Sequence, residues 1–499
     1  MSLSTAFNII SSSFAANAAQ TAVVSNNIAN VNTSGYSRQI ANVVTDSFGG
    51  ADVASVTRMA NGYLTEQASS SNSLAAAQQA ISNGLATLAQ TVSDSSSASS
   101  TSGNYENGAS PSAMLANLVD ALETYEASPS SSSAANPAVS AASNLAASLK
   151  SGSAVVDQVR ETADQDMASS VKTINSLLSQ FTAANNAVVS GLASGANVAS
   201  AEDTRDSIVS QLSNEIGVST VTSANGSMSI YADNGVTLFQ DTPRTVSFTP
   251  TATPVDGASG GAVTVDGVPI TGPNAPTPIQ SGALAGYAAL RDTIAPQYQA
   301  QLDQIADGLI NAFAESDQSS SPSLPSLPGL FTAPGLTGLP SMSAATGLAA
   351  SIEVNPSVDP SQGGDSTLLR DGGISSGNSA YVYNSSGAAS YTGRIQQLIA
   401  QVSATQSFDP SAGLTASATL SDYANASVSW LNAANQKASD AASYQSALAT
   451  QAKTALSNAT GVNLDAEMTN MLALENAYAS TAKLLTTANA MFSALLNAA

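Results

Sequence analysis

The chain has 499 residues, 43% hydrophobic and only 10% charged, and its thirteen Lys and Arg against thirty-five Asp and Glu leave a net charge of -22. That length calls for several domains, and the acidic balance argues against nucleic acid or an anionic membrane surface as partner, since both recruit clustered Lys and Arg. With no Cys and no His, thiol nucleophiles, disulfide frameworks, Cys/His zinc sites and Ser-His-Asp triads are excluded.

The chain opens on a helical pattern. Leu3, Phe7, Ile10, Phe14, Thr21, Val24, Ile28 and Val31 step by four and three, with Asn17 as the polar interruption; this is a heptad seam. Met1 to Gln20 carries no Lys or Arg, so a cleaved secretory signal is not expected. No apolar run approaches the length of about eighteen residues that suggests a membrane span, and membrane insertion is not expected. Asn32 to Tyr36, with Gly35, ends the seam, and Arg38 to Val56 reads as extended or irregular.

Helical periodicity returns over Tyr63 to Val92, followed by a Ser-rich break at Ser93 to Gly103. Further helices are expected over Ser112 to Ala127 and from Asn136, with Pro137 in the first turn, through Leu145, Val156 and Phe181 to about Ile216. From Val218 the period changes to alternation around Asn225-Gly226 and again Asn234-Gly235, dipeptides favoured in tight hairpins. Strand-like pieces follow at Thr245 to Phe248 and Ala262 to Val265, then a helix from Tyr287 to Phe313.

Ser316 to Gly393 is dominated by Ser, Pro and Gly, which suggests a small β-rich or loop-rich outer domain. Helices resume over Thr392 to Val402 and Leu414 to Ala459. In the closing stretch Leu464, Met471, Tyr478, Leu485 and Phe492 form a strict seven-residue column, flanked by Met468, Leu474, Ala482, Ala488, Leu495 and Leu496. Each terminal stripe is too narrow to bury itself and requires a partner helix.

The expected architecture is mainly α: long helices with coiled-coil-type terminal helices forming an elongated rod, plus β-containing outer insertions. Its segments are an N-terminal axial helix and extended stretch (1–60), a helical shaft (61–225), a β-hairpin-containing segment (226–280) and a shaft helix (281–315). An outer domain (316–395), returning shaft helices (396–460) and a C-terminal axial helix (461–499) complete it.

The motif SNNIANVNTSGYSRQ, Ser25 to Gln39, resembles the N-terminal signature of flagellar rod, hook and hook-associated proteins. Its Tyr36-Ser37-Arg38-Gln39 ending is similar to the hook-associated protein 1 family, whereas rod and hook proteins usually continue differently after the Gly-aromatic step. Val462 to Met468, Ala477-Tyr478 and Ala482-Lys483 resemble that family's closing helix. Asp203-Thr-Arg205-Asp206 before Gly217-Val218, and Gly286-Tyr287, Arg291-Asp292 and Pro296 through Phe313, resemble its interior. One departure is Leu-Glu475-Asn476-Ala-Tyr, where the family often carries a Gln.

The resemblance implies a structural protein of the extracellular bacterial flagellum that joins hook to filament. It implies export without a cleaved signal, through the flagellar type III export apparatus, with a cytoplasmic export chaperone on the C-terminal region. The implied partners are further copies of the chain in a ring-like or helical assembly, hook protein below and hook-associated protein 3 above, with no cofactor. The expected assembly interface comprises Leu3, Phe7, Ile10, Phe14, Val24, Ile28, Val31, Asn30, Asn32, Gly35, Tyr36 and Arg38. At the other end it comprises Leu464, Met468, Met471, Tyr478, Leu485, Phe492, Leu495 and Leu496.

Competing readings are weaker. Asp203, Asp206 and Glu215 could suggest a glycosidase pair, but acidic residues spaced by three on a polar helix face are more often solvated surface than the two sides of a substrate cleft. Asp359 to Asp365 lacks the Glu an EF-hand needs. A hook or rod protein, or a secreted adhesin-like module using the 316–395 region, remains the alternative.

Overall fold

A computed structural model describes residues 3–47, 49–93, 110–251, 257–341 and 345–498, without the side chains of Leu3 and Ala498. From residue 94 onward the expected Ser-rich break lies outside the described residues.

Helix α1 (Leu3–Ala29) leads into a two-stranded antiparallel hairpin, β1 (Gln39–Thr45) and β2 (Ala51–Arg58). Of the extended or irregular forms expected after Arg38, the hairpin is the extended one. Helix α2 (Gly62–Ala89) starts on Asn61, whose side chain accepts the Leu64 N–H, and α3 (Pro111–Ala127) starts on Ser110 with Pro in its first turn.

Helix α4 (Ser132–Ser194) runs for 63 residues, about 95 Å at the α-helical rise, and makes the molecule elongated. It ends on Gly195 in the left-handed region, φ 71°. The start expected at Asn136 is shifted to Ser132, which leaves Pro137 inside the helix. Asn136 does not cap: its Oδ1 accepts a hydrogen bond from Ser366 Oγ at 2.7 Å, and Ala135, Ala138 and Val139 are buried on the neighbouring positions. Packing offsets the one backbone bond that proline removes.

Two hydrophobic cores lie along α4. The C-terminal half, Met167 to Ala184, packs with α5 (Ala199–Glu215) against a four-stranded antiparallel sheet of β3 (Val218–Thr222), β4 (Met228–Ala232), β5 (Thr237–Gln240) and β6 (Thr242–Pro243). Its first strand begins at Val218, where the change to alternation was expected, and Gly226 and Gly235 turn the hairpins at φ 84°. A small three-stranded patch, Val246–Ser247, Thr264–Val265 and Val268–Pro269, lies beyond.

The N-terminal half of α4, Ala135 to Ala163, shares the larger core with α3 and with the helix expected from Tyr287. That helix is α6 (Ala283–Ala289), a π turn over Leu290–Ile294, and α7 (Ala295–Ala312); the π turn comes just before Pro296, which has no N–H for the ladder. Between the two cores the buried Arg291 guanidinium joins Asp164 of α4, Asp292 at 2.9 Å and the Gly261 carbonyl at 2.8 Å.

The 316–395 segment does not stand off as an outer domain. Leu330, Phe331, Val358, Leu369 and Ile374 belong to the same core as α3, α4 and α7, and Phe331 meets Phe313 edge-on at 5.1 Å. Fully buried Glu315 accepts the Ile374 and Ser375 backbone N–H groups at 3.1 and 2.9 Å. The short helices α8 (Leu348–Ser351) and α9 (Leu368–Asp371) sit in this belt, followed by α10 (Gly393–Val402).

The helix expected from Leu414 begins at Leu420, because Ser417–Thr419 pairs with Thr405–Ser407 as a hairpin. Thr419 and Asp422 then cap the N-terminus of α11 (Leu420–Thr460), Thr419 Oγ1 accepting the Asp422 N–H at 3.0 Å. Helices α2 and α11 pack side by side, and α12 (Leu464–Ala498) closes the described chain against α1.

Helix α7 buries one carboxyl that lacks an ion pair. Asp307 is 4% exposed, and its Oδ1 has no hydrogen-bond partner among the described residues. Burial pushes its pKa from the ordinary 3.8 up to about 6, although Asn311 acts to lower it. The charged form is therefore disfavoured in the folded state, so stability is lost as pH rises from 4 through 6. Replacing Asp307 by Asn is expected to raise stability at pH 7 by about 1–2 kcal/mol, after allowance for solvent screening. Below pH 4 the two chains should melt alike; denaturant titrations at both pH values check this.

Candidate functional site

The two terminal helices pair with each other. They run antiparallel: Phe14 packs edge-on against Tyr478, ring centroids 5.0 Å apart, and near the other end Asn27 Nδ2 donates to Glu467 Oε2 at 3.1 Å. Ile10 and Val24 are buried in α1, and Phe7, Phe14 and Ile28 are half-buried. Leu3 opens the helix, its side chain outside the described residues.

On α12 the inner face is Glu467, Met471, Leu474, Thr481, Leu485 and Ala488, all buried or half-buried, with Tyr478 at its margin. The strict seven-residue column does not stay on that face. Leu464 is 45% and Phe492 47% exposed, because a straight α-helix drifts by about 20° per heptad relative to an exact seven-residue repeat. Met468, Leu495 and Leu496 also point outward.

Where α1 ends, the SNNIANVNTSGYSRQ motif builds a polar joint. Asn27, 1% exposed, accepts the Gln39 N–H through Oδ1 at 2.9 Å and donates from Nδ2 to the Gln39 carbonyl at 2.9 Å. Tyr36 Oη donates to the same Oδ1 at 2.9 Å. One asparagine thus staples the end of α1 to the start of β1 as a backbone strand would. The fully buried Glu467 accepts from Asn27 and from Arg38 Nε, the latter at 2.6 Å, while the Arg38 N–H donates to the Thr460 carbonyl at 2.8 Å. The last residue of α11 and the first turn of α12 are therefore both held to one arginine.

A second cluster ties this joint to the shaft. Arg58, at the end of β2, reaches Glu202, Asp203 and Asp206 of α5 at 2.9, 3.1 and 2.7 Å. Asp203 Oδ2 also accepts the Ser37 N–H at 3.2 Å. Burial acts to lower the Arg58 pKa, but the Asp206, Glu202 and Asp203 carboxylates outweigh it and hold the guanidinium above its ordinary value. Burial raises Asp203, with Ser37 and Arg58 opposing, and Tyr36 is pushed up to about 12 by burial and the Asp203 and Glu467 charges. Asp203 and Asp206, two of the three acidic residues that could suggest a glycosidase pair, are thus engaged by an arginine, and their chemistry is that of a clamp.

The remaining motif residues sit on the rim. Gly35 has φ 82°, a left-handed turn that a side chain disfavours. The helix stops at Ala29, so Asn30, Val31 and Asn32 lie in the turn beyond it; there Asn30 donates to the Asn26 carbonyl at 2.9 Å. They line a polar cleft of about 720 Å³ formed with α2, α5 and the end of α11. Among the expected interface residues Tyr36 and Arg38 make these intrachain contacts, whereas Asn27, Gln39, Arg58, Asp203 and Thr460 were not singled out for the joint, and Glu467 only as part of the closing-helix resemblance.

The comparisons with known proteins follow the same division. The family described as the flagellar hook-associated protein FlgK helical domain matches residues 104–320. The flagella basal body rod protein family matches 6–36, and the flagellar basal body rod FlgEFG protein C-terminal family matches 455–498. Among solved structures, the flagellar hook junction protein FlgK from Burkholderia pseudomallei is similar at 22% identity, covering 54% of this chain and 46% of that one, with a TM-score of 0.42. The match thus spans less than half of that protein's length. No curated protein matches the chain.

Rod-type families at both ends, on the helices that pair here, define a structural component of the flagellum. The interior match is more specific, and it supports a FlgK-type hook-associated protein.

Proposed function

We propose that this chain joins the flagellar hook to the filament and assembles at the distal end of the hook through α1 and α12. The observation that carries this reading is the outer surface of the terminal pair. On α1 the positions Asn8, Ser11, Ala15, Ala18, Ala22 and Ser25, spaced by three and four, are exposed and small. On α12 Leu484, Met491 and Leu495 are exposed by 60, 57 and 62%, and no charged residue follows Lys483. Small residues admit a close neighbouring helix, and large apolar ones gain by leaving water.

In this proposal neighbouring copies pack terminal pairs around a common axis, with hook protein below and hook-associated protein 3 above. The shaft is carried outward at the angle set by the polar joint. Before assembly the same apolar face is a liability in solution, which supports a cytoplasmic export chaperone on the C-terminal region and passage through the type III export apparatus. Electron microscopy of cells lacking the chain tests the placement: hooks without filaments, with flagellin shed into the medium, are expected. Normal filaments on such cells contradict it.

A further inference from the structure

The apolar seam between α1 and α12 is degenerate. Phe14 faces Tyr478, and a slide of seven residues, about 10 Å of helix, would place Phe14 by Leu485 and Phe7 by Phe492. Apolar residues meet in either register, so burial alone selects neither. What differs is the joint and the course of the link 461–463 that enters α12 from it. The same slide carries Glu467 past the end of α1, away from Asn27 and Arg38, and sets the buried Asn27 against Leu474, leaving its amide without the carboxylate it donates to.

We infer that Glu467, held by Asn27 and Arg38, is the register-specifying residue of the terminal helix pair. A polar position in a largely apolar seam discriminates registers because a wrong one buries a polar group unsatisfied. Asn27 is itself fixed by both backbone groups of Gln39, so the reference point belongs to the hairpin and, through Arg58, to the shaft. Glu467 is thus a positioning residue: it sets how far α12 extends along α1. The inference does not rest on the junction reading and can fail or hold independently of it.

The chain contains no cysteine, so introduced pairs report without background. Full-length chains carrying Phe14→Cys with Tyr478→Cys report the observed register, and Phe14→Cys with Leu485→Cys the slid one, under a mild thiol oxidant. With Glu467 present only the 14/478 pair is expected to close. In Glu467→Leu, which keeps the seam apolar, the 14/485 product is expected to rise roughly tenfold or more, and Glu467→Gln, which can still hydrogen-bond Asn27, to restore the single register. Exclusive 14/478 closure in Glu467→Leu overturns the inference. So does closure of neither pair, which would make Glu467 necessary for pairing itself, and so does closure of both with Glu467 intact.

Discussion

Replacing Arg58 with Ala is expected to destabilise the folded chain by about 3 kcal/mol at neutral pH, near the lower end of what removing one member of a buried ion pair costs. Arg58 is held by three carboxylates and its side chain is 10% exposed; Asp203 is 11% exposed, Glu202 and Asp206 25% each. The substitution leaves three negative charges within one helical turn and a half of α5, with only the Arg205 guanidinium near Glu202 and Asp206 to offset them. Asp203, already raised by burial, loses a contact that stabilises its charged form. The deficit is therefore expected to narrow in acid, where the unpaired carboxylates protonate. Arg58→Lys should recover only part of the loss, since one ammonium cannot span three carboxylates. Denaturant unfolding of the three chains at neutral and acidic pH measures this; equal stability of Arg58→Ala and the parent chain would show that the clamp is solvated surface.

The terminal pairing was legible because heptad spacing is a local, repeated signal: Phe14 and Tyr478 stand in the two columns and meet in the structure. The faces of α12 were less legible, since a strict seven-residue column leaves the contact face over four heptads, and Leu464 and Phe492 emerge to solvent. The joint carries no periodicity at all. Asn27 and Glu467 are 440 residues apart, and the only local hint was a charged residue in the column that continues as Leu474, Thr481 and Ala488. The start of α11 could have been read from Thr419 and Asp422, a Thr-x-x-Asp pair before an apolar run. The 316–395 belt could not, because its apolar pieces are too short to show a period and become core only when α3, α4 and α7 gather them.

The largest functional effect is expected from the outer face of α12. Leu484, Met491 and Leu495 are each more than half exposed, so replacing all three by Ser removes nothing from the core of the isolated chain. Stability should change by less than about 0.5 kcal/mol for each of the three, as for surface substitutions generally. In an assembly, each of these side chains would contribute about 1.5–3 kcal/mol on burial. In the proposed assembly, losing three at every contact around the axis is expected to prevent stable stacking.

The measurement that tests this most directly is complementation of cells lacking the chain with the Leu484→Ser, Met491→Ser, Leu495→Ser variant, viewed by electron microscopy. The account predicts a chain that folds, is exported into the medium and leaves hooks bare of filaments. Normal filaments built on the exported variant would contradict it.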